Sequence, residues 1–258
     1  MEKRNRLEAA GIPVFFTEMH RSVAEAMAET VEKTALVLQN RWGLQSPANC
    51  EVHVLTDVSG FIEETAPRRL RLLVALAKPL WRGRAERAFQ IAGGWMLPWP
   101  GRLAVGVKPP DLLAKSKTEL GERLFKPVLD PLEKVRHITC HELTHAWTVH
   151  LRFPPWINEG LAMRAVDHMA GNPTVREETS TGATLDPSVL DSKAYRRVSP
   201  ADHDALLALY SSGYWLTRRL EDHAPGILQE LLKRKRPPRE VAQIVTAALG
   251  SSTSPAGS

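Results

Sequence analysis

The chain of 258 residues holds two cysteines, Cys50 and Cys140, and no long hydrophobic run. Two thiols cannot build a disulfide framework, so free thiols in a reducing cytoplasm are the simpler expectation. No window approaches the roughly 18 uncharged apolar residues of a membrane span. The first residues, Met1-Glu2-Lys3-Arg4-Asn5-Arg6, are basic but lead into no apolar leader core. No secretory signal is therefore expected, and the expected location is cytoplasmic. Also missing are internal repeats, a Gly-x-Ser-x-Gly elbow, a glycine-rich phosphate loop and a Cys-x-x-Cys pair. What remains is an ordinary globular composition, 43% hydrophobic and 24% charged, which excludes a fibrous, collagen-like or wholly disordered chain.

The net charge is +5, which permits attraction to nucleic acid or anionic lipid without requiring it. The excess sits in short runs: Arg68-Arg69-Leu70-Arg71, then Arg82, Arg84 and Arg87, then Lys233-Arg234-Lys235-Arg236. Aromatic residues do not interleave with them as a base-stacking surface would require. The runs read as solvated faces.

Along the chain, Ser22 and Glu25 form a capping-box pattern. Val23, Met27, Val31, Ala35, Leu38 and Trp42 then recur every three to four residues, the stripe of one helix. Residues 1–45 are expected to be an N-terminal helical extension. Cys50–Leu55 alternates as a strand. Ala66–Arg87 reads as helical with a break near Pro79. A turn-rich segment from Gly93 to Gly101 feeds a second strand, Arg102–Val107. Asp130-Pro131-Leu132-Glu133 is a helix start, and that helix is expected to reach about His150. Arg152-Phe153-Pro154-Pro155 breaks it, and a further helix runs from Trp156 to about Gly171. Residues 171–198 read as a long loop, a possible lid. Ser199–Asp202 caps another helix to His223, and two shorter helices flank Pro237-Pro238. Residues 251–258 read as a disordered tail.

The chemistry concentrates in His141-Glu142-Leu143-Thr144-His145, inside the best-marked helix. Side chains four apart leave the same face one turn apart. Two neutral imidazoles there can share a zinc ion at about 2.0–2.1 Å each. Glu142 is placed to reach a water that the ion acidifies, rather than the ion itself. A catalytic zinc needs a third protein ligand and an open position. Trp156-Ile157-Asn158-Glu159-Gly160-Leu161-Ala162 supplies a carboxylate in the first turn of the next helix, which the proline turn can fold back. Otherwise Glu159 only stabilises its helix N-terminus.

His141-Glu142-x-x-His145 followed by Trp156-x-x-Glu159-Gly160-x-Ala162 resembles the gluzincin metallopeptidases, the peptidase MA-like group. The resemblance spans roughly residues 50–224. It implies an α+β, zincin-like fold: a small, mostly antiparallel sheet over an active-site helix, with a helical C-terminal lobe, in one domain of residues 46–250. It implies His141, His145 and Glu159 as ligands of Zn2+ and Glu142 as general base. The spacing from His145 to Glu159 is shorter than in thermolysin or the aminopeptidase N family and similar to that of small bacterial MA-like proteins. Tyr210-Ser211-Ser212-Gly213 resembles the Tyr-x-x-Gly helix whose tyrosine stabilises the oxyanion, with Tyr214 one turn on as the alternative donor. The strand Arg102–Val107 is the implied edge for an extended substrate. Gly93-Gly94-Trp95-Met96 is partly similar to the Gly-x-Met-Glu-Asn run of aminopeptidase N-like enzymes. Leu97 and Pro98 follow here, so the glutamate that holds a substrate amine is missing.

The expected function is zinc-dependent hydrolysis of peptide bonds in a peptide or protein substrate, with no membrane span and no nucleic-acid partner. One alternative is a zinc-binding regulatory or DNA-associated protein that keeps the pocket, although no helix-turn-helix with a basic second helix is visible. Another is hydrolysis of a non-peptide amide or ester. His137 reads as a partly exposed helix histidine, and Cys140 as a packed thiol.

Overall fold

The computed structural model describes residues 4–116, 119–190 and 202–250. In chain order, the first half contains β1 (Arg4–Ala9), β2 (Ile12–Thr17), α1 (Arg21–Trp42), β3 (Cys50–Val54), α2 (Val58–Thr65), α3 (Arg71–Leu76), α4 (Lys78–Ile91), β4 (Gly94–Trp99) and β5 (Arg102–Val107). Then come α5 (Pro110–Lys115), α6 (Glu119–Leu124), α7 (Pro131–Thr148), α8 (Pro155–Ala170), α9 (Pro187–Leu190), α10 (His203–His223), α11 (Pro225–Lys233) and α12 (Pro238–Gly250). The class is α+β, with one small sheet and many helices. The chain divides into two compact units, residues 1–36, 46–118 and 128–146 in the first and 37–45, 119–127 and 147–258 in the second. The divisions fall inside α1 and α7.

The first unit carries a five-stranded sheet in the order β1-β2-β3-β5-β4. β1 and β2 form an antiparallel hairpin closed by Ala10 and Gly11, both at positive φ (48° and 76°). Two such residues give the turn whose twist matches a hairpin, and glycine takes the second place without strain. β2–β3 and β3–β5 pair parallel, and β4–β5 antiparallel. The sheet is therefore mixed, not mostly antiparallel as expected. On one face, Trp95, Leu97 and Trp99 of β4 pack with Leu55, Phe61, Phe89 and Ala104. α7 starts as the sequence predicts, with Asp130 Oδ1 accepting from Leu132 N at 2.9 Å.

Three further expectations are corrected in this unit. Residues 1–45 are not a helical extension, because β1 and β2 belong to the sheet. Pro13 lies in β2, although proline normally demotes a strand. It is tolerated because the parallel pairing with β3 involves Val14 and Phe15, beyond it. α1 begins at Arg21, so Ser22 lies inside the first turn and is not the cap. Arg102–Val107 is an inner strand, paired on both sides, and the outer strand is β4.

In the second unit, α8 and α10 pack along each other, and glycine sets their separation. A Cβ on Gly160 would collide with the Gly213 carbonyl and the Thr217 hydroxyl, and one on Gly213 with the Trp156 carbonyl. A buried polar network bonds the same two helices. Arg164 donates to Glu221 Oε2 at 2.8 Å and to Asp167 Oδ2 at 2.7 Å, and His168 Nε2 lies 2.7 Å from Glu221 Oε1. Trp42 Nε1 also donates to Glu221, at 3.3 Å. Thr174 donates from both N and Oγ1 to Asp167 Oδ1, at 2.7 and 2.8 Å. α10 is capped by Asp202, which accepts from Ala205 N at 3.0 Å. The loop expected over 171–198 is partly ordered. Val175 bridges to Phe125, Glu177–Ser180 is a 3-10 turn, and α9 follows. Its last part, 191–198, lies outside the described residues, as do Ser199–Ala201 and the expected tail 251–258.

Burial raises the Glu221 carboxyl, but His168 and Arg164 outweigh it and hold its pKa down at about 2. A depressed carboxylate contributes stability above the unfolded value and loses it as pH falls towards the folded one. Glu221→Gln is expected to lower the unfolding free energy by about 2–3 kcal/mol at pH 7. In denaturant titrations, the gap to wild type should close as pH falls from 4.5 to about 2. A gap independent of pH would show that the charge contributes nothing.

Candidate metal centre

α7 brings His141 and His145 to one face, as the four-residue spacing requires. Their Nε2 atoms lie 3.1 Å apart, with ring centroids at 4.7 Å and planes at 88°. Two neutral imidazoles tolerate facing nitrogens at that distance when one donates to the other or when both lone pairs address a cation. His145 is buried at 8% exposure, and His141 is half-buried. The opposite face of α7 is closed by Val135, Thr139, Cys140, Leu143 and Thr144, all buried. Thr139 and Thr144 return their hydroxyls to the carbonyls of Val135 and Cys140, both at 2.8 Å, so burial leaves neither donor unmet.

A short path leads from this helix to Glu159. After Thr148 the chain makes a 3-10 turn, Val149–Leu151, and reverses at Arg152 with φ 52°. Pro154 then sits at the N-cap of α8 and Pro155 in its first turn. Thr148 Oγ1 donates to Asn158 Oδ1 at 3.0 Å, tying the last residue of α7 to the residue before Glu159. His141, His145 and Glu159 each offer one ligand atom, and the three atoms lie within 4.8 Å of one another. Among the described residues this is the one group of His, Cys, Asp or Glu so arranged.

The donor set suits zinc: two imidazole nitrogens and one carboxylate oxygen. Donors about 2.0–2.1 Å from a tetrahedral ion stand about 3.3 Å apart, which the nitrogen pair nearly meets.

Glu142, between the histidines, stands beside β4. A Cβ on Gly94 would lie 2.7 Å from Ile138 Cγ2 and 2.8 Å from Glu142 Cγ. One on Gly93 would lie 2.7 Å from Ile138 Cδ1. The missing side chains of Gly93 and Gly94 therefore make room for α7. The turn-rich appearance of that segment concealed this role, because it opens a strand.

Tyr210 is half-buried, its ring against the cluster of Leu124, Met163, Val175 and Tyr214. The alternative donor, Tyr214, is fully buried and already committed, donating to Asp167 Oδ2 at 2.7 Å. Burial, and then the Asp167 charge, push its hydroxyl up to about 12. Gly213 of the Tyr-x-x-Gly run is needed where α10 meets the Trp156 carbonyl. The Arg164–Asp167–Glu221 network went unread in the sequence; an Arg and an Asp three apart within the apolar α8 were its one local sign. His137 Nε2 lies 3.1 Å from Glu133 Oε1 and is not in the ligand group. Cys50 and Cys140 are free and buried, and burial pushes both thiols up to about 12.

Scanned against protein-family models, curated proteins and solved structures, the chain matches none.

Gly160 immediately follows the candidate carboxylate ligand, so crowding it should be felt at the centre. Gly160→Ala is expected to cost about 1–3 kcal/mol of stability and to weaken zinc retention, read by denaturation and by metal analysis after dialysis. Wild-type stability in that variant would contradict the close crossing.

Proposed function

We propose that the protein is a gluzincin-type, zinc-dependent hydrolase of peptide bonds. The reading is supported by the group of His141, His145 and Glu159, each offering one ligand atom within 4.8 Å of the others. His141, His145 and Glu159 hold the ion. Bound there, zinc supplies Lewis-acid polarisation of a carbonyl and lowers the pKa of water towards ~7.

Glu142 accepts the water's proton and later passes it to the leaving amine. Its place beside Gly94 supports that role, because an extended peptide adding to the outer strand β4 would bring its backbone near this carboxylate. Tyr210 donates from its hydroxyl to the oxyanion, and the commitment of Tyr214 to Asp167 leaves Tyr210 as the candidate on α10. The protein works as a soluble hydrolase in the cytoplasm, a reading supported by its two free thiols and by the lack, among the described residues, of any helix long and apolar enough to cross a membrane.

Glu142→Gln should keep one zinc per chain yet lose turnover of casein or a fluorogenic peptide library. Glu159→Ala should lose zinc itself. Equal turnover in the first variant, or unchanged metal content in the second, would remove that residue from its role. Tyr210→Phe should lower kcat by about 100-fold with KM little changed, while Tyr214→Phe costs stability instead. An unaffected kcat in Tyr210→Phe would take the tyrosine out of the mechanism.

A further inference from the structure

The stretch from Pro67 to Ile91 contains seven cationic side chains and one acid, Glu86. Within it, α3 and α4 leave four leucines in water: Leu72 at 71% exposure, Leu73 at 61%, Leu76 at 70% and Leu80 at 83%. Their spacing of one, three and four residues is that of a single helical face. The break between the helices at Ala77 is slight, with φ −80° and ψ −1°, still in the helical region. Trp81 sits half-buried at the base, its indole N–H donating to the Val74 carbonyl at 3.0 Å. Side chains this exposed project from the surface instead of lining a groove.

Cationic side chains flank these leucines along the chain. Arg82 pairs with Glu86 at 2.6 Å and Lys78 with Glu63 at 2.5 Å. Arg71 donates to the carbonyls of Ala66 and Glu64 at 3.2 and 3.0 Å. Arg68, Arg69, Arg84 and Arg87 are exposed and have no ion pair among the described residues. Contiguous exposed apolar surface rimmed by charge of one sign marks a contact site. Nucleic acid would satisfy the arginines but leave the leucines in water. A bilayer with anionic headgroups takes both: methyl groups enter the acyl boundary and guanidinium groups remain at the phosphates. Neither helix is long enough to span, since α4 has 14 residues, so the contact is interfacial.

We propose that the α3–α4 face docks on an anionic lipid surface, with Leu72, Leu73, Leu76 and Leu80 inserted and the surrounding arginines on the headgroups. The test is flotation of the full chain with vesicles of phosphatidylcholine alone or with about 30 mol% phosphatidylglycerol, at about 0.1 M salt. Wild type should bind the anionic vesicles at least about tenfold better than the neutral ones. The pair Leu76→Ser with Leu80→Ser, and separately Arg84→Gln with Arg87→Gln, should each weaken binding by about tenfold. All four positions are exposed, so circular dichroism should match wild type. Absence of vesicle binding overturns the proposal. Binding that the leucine pair leaves intact also overturns it, reducing the contact to adsorption of a basic surface. Concentration-dependent dimerisation that the leucine pair abolishes, without vesicle binding, assigns the face to a second copy of this chain.

Discussion

At Gly160 and Gly213 the backbones of α8 and α10 come so close that no Cβ fits on either side. That crossing fixes the rotation of α8 about its own axis, and Glu159 is the residue next to Gly160. With 100° per residue, choosing the face that Gly160 turns to α10 also chooses where the Glu159 carboxylate leaves the helix. The Arg164, Asp167, His168 and Glu221 network repeats the constraint one and two turns further along. Apolar packing slides easily between neighbouring arrangements, whereas a half-buried carboxylate facing an arginine and a histidine favours one register over any other.

The first unit supplies its part by subtraction. α7 approaches β4 where two glycines in succession remove the side chains that would hold it off. Glu142 therefore stands beside the outer strand while the histidines continue the same helical face. In the second unit, the Thr148–Asn158 hydrogen bond ties the last residue of α7 to the first turn of α8.

The candidate site was legible where its geometry is local. Four residues of helix dictate that His141 and His145 converge, and Asp130-Pro131 announces that helix. Glu159 was legible because two prolines force a reversal one turn before it. What depended on non-local pairing was not legible. Strand order put β4, and not Arg102–Val107, at the edge of the sheet, since no alternation pattern says which neighbour a strand finds. β1 and β2 went unread although Ile12, Val14 and Phe16 alternate, because the strong helical stripe of α1 dominates residues 1–45. Tyr210 and Tyr214 lie one turn apart, and only Asp167, more than forty residues earlier, distinguishes them. The conformity of Gly160 and Gly213 to a metallopeptidase pattern has a packing cause that sequence spacing does not reveal.

The proposed centre stands or falls on the atoms that would surround a bound zinc ion. X-ray absorption at the zinc edge, on the full chain loaded with one equivalent, reads them directly. Ligation by His141, His145 and Glu159 would give a shell of nitrogen and oxygen at about 2.0–2.1 Å with the multiple scattering of two imidazoles and no sulfur. A sulfur shell at about 2.3 Å, or the spectrum of hydrated zinc without imidazole scattering, would contradict it.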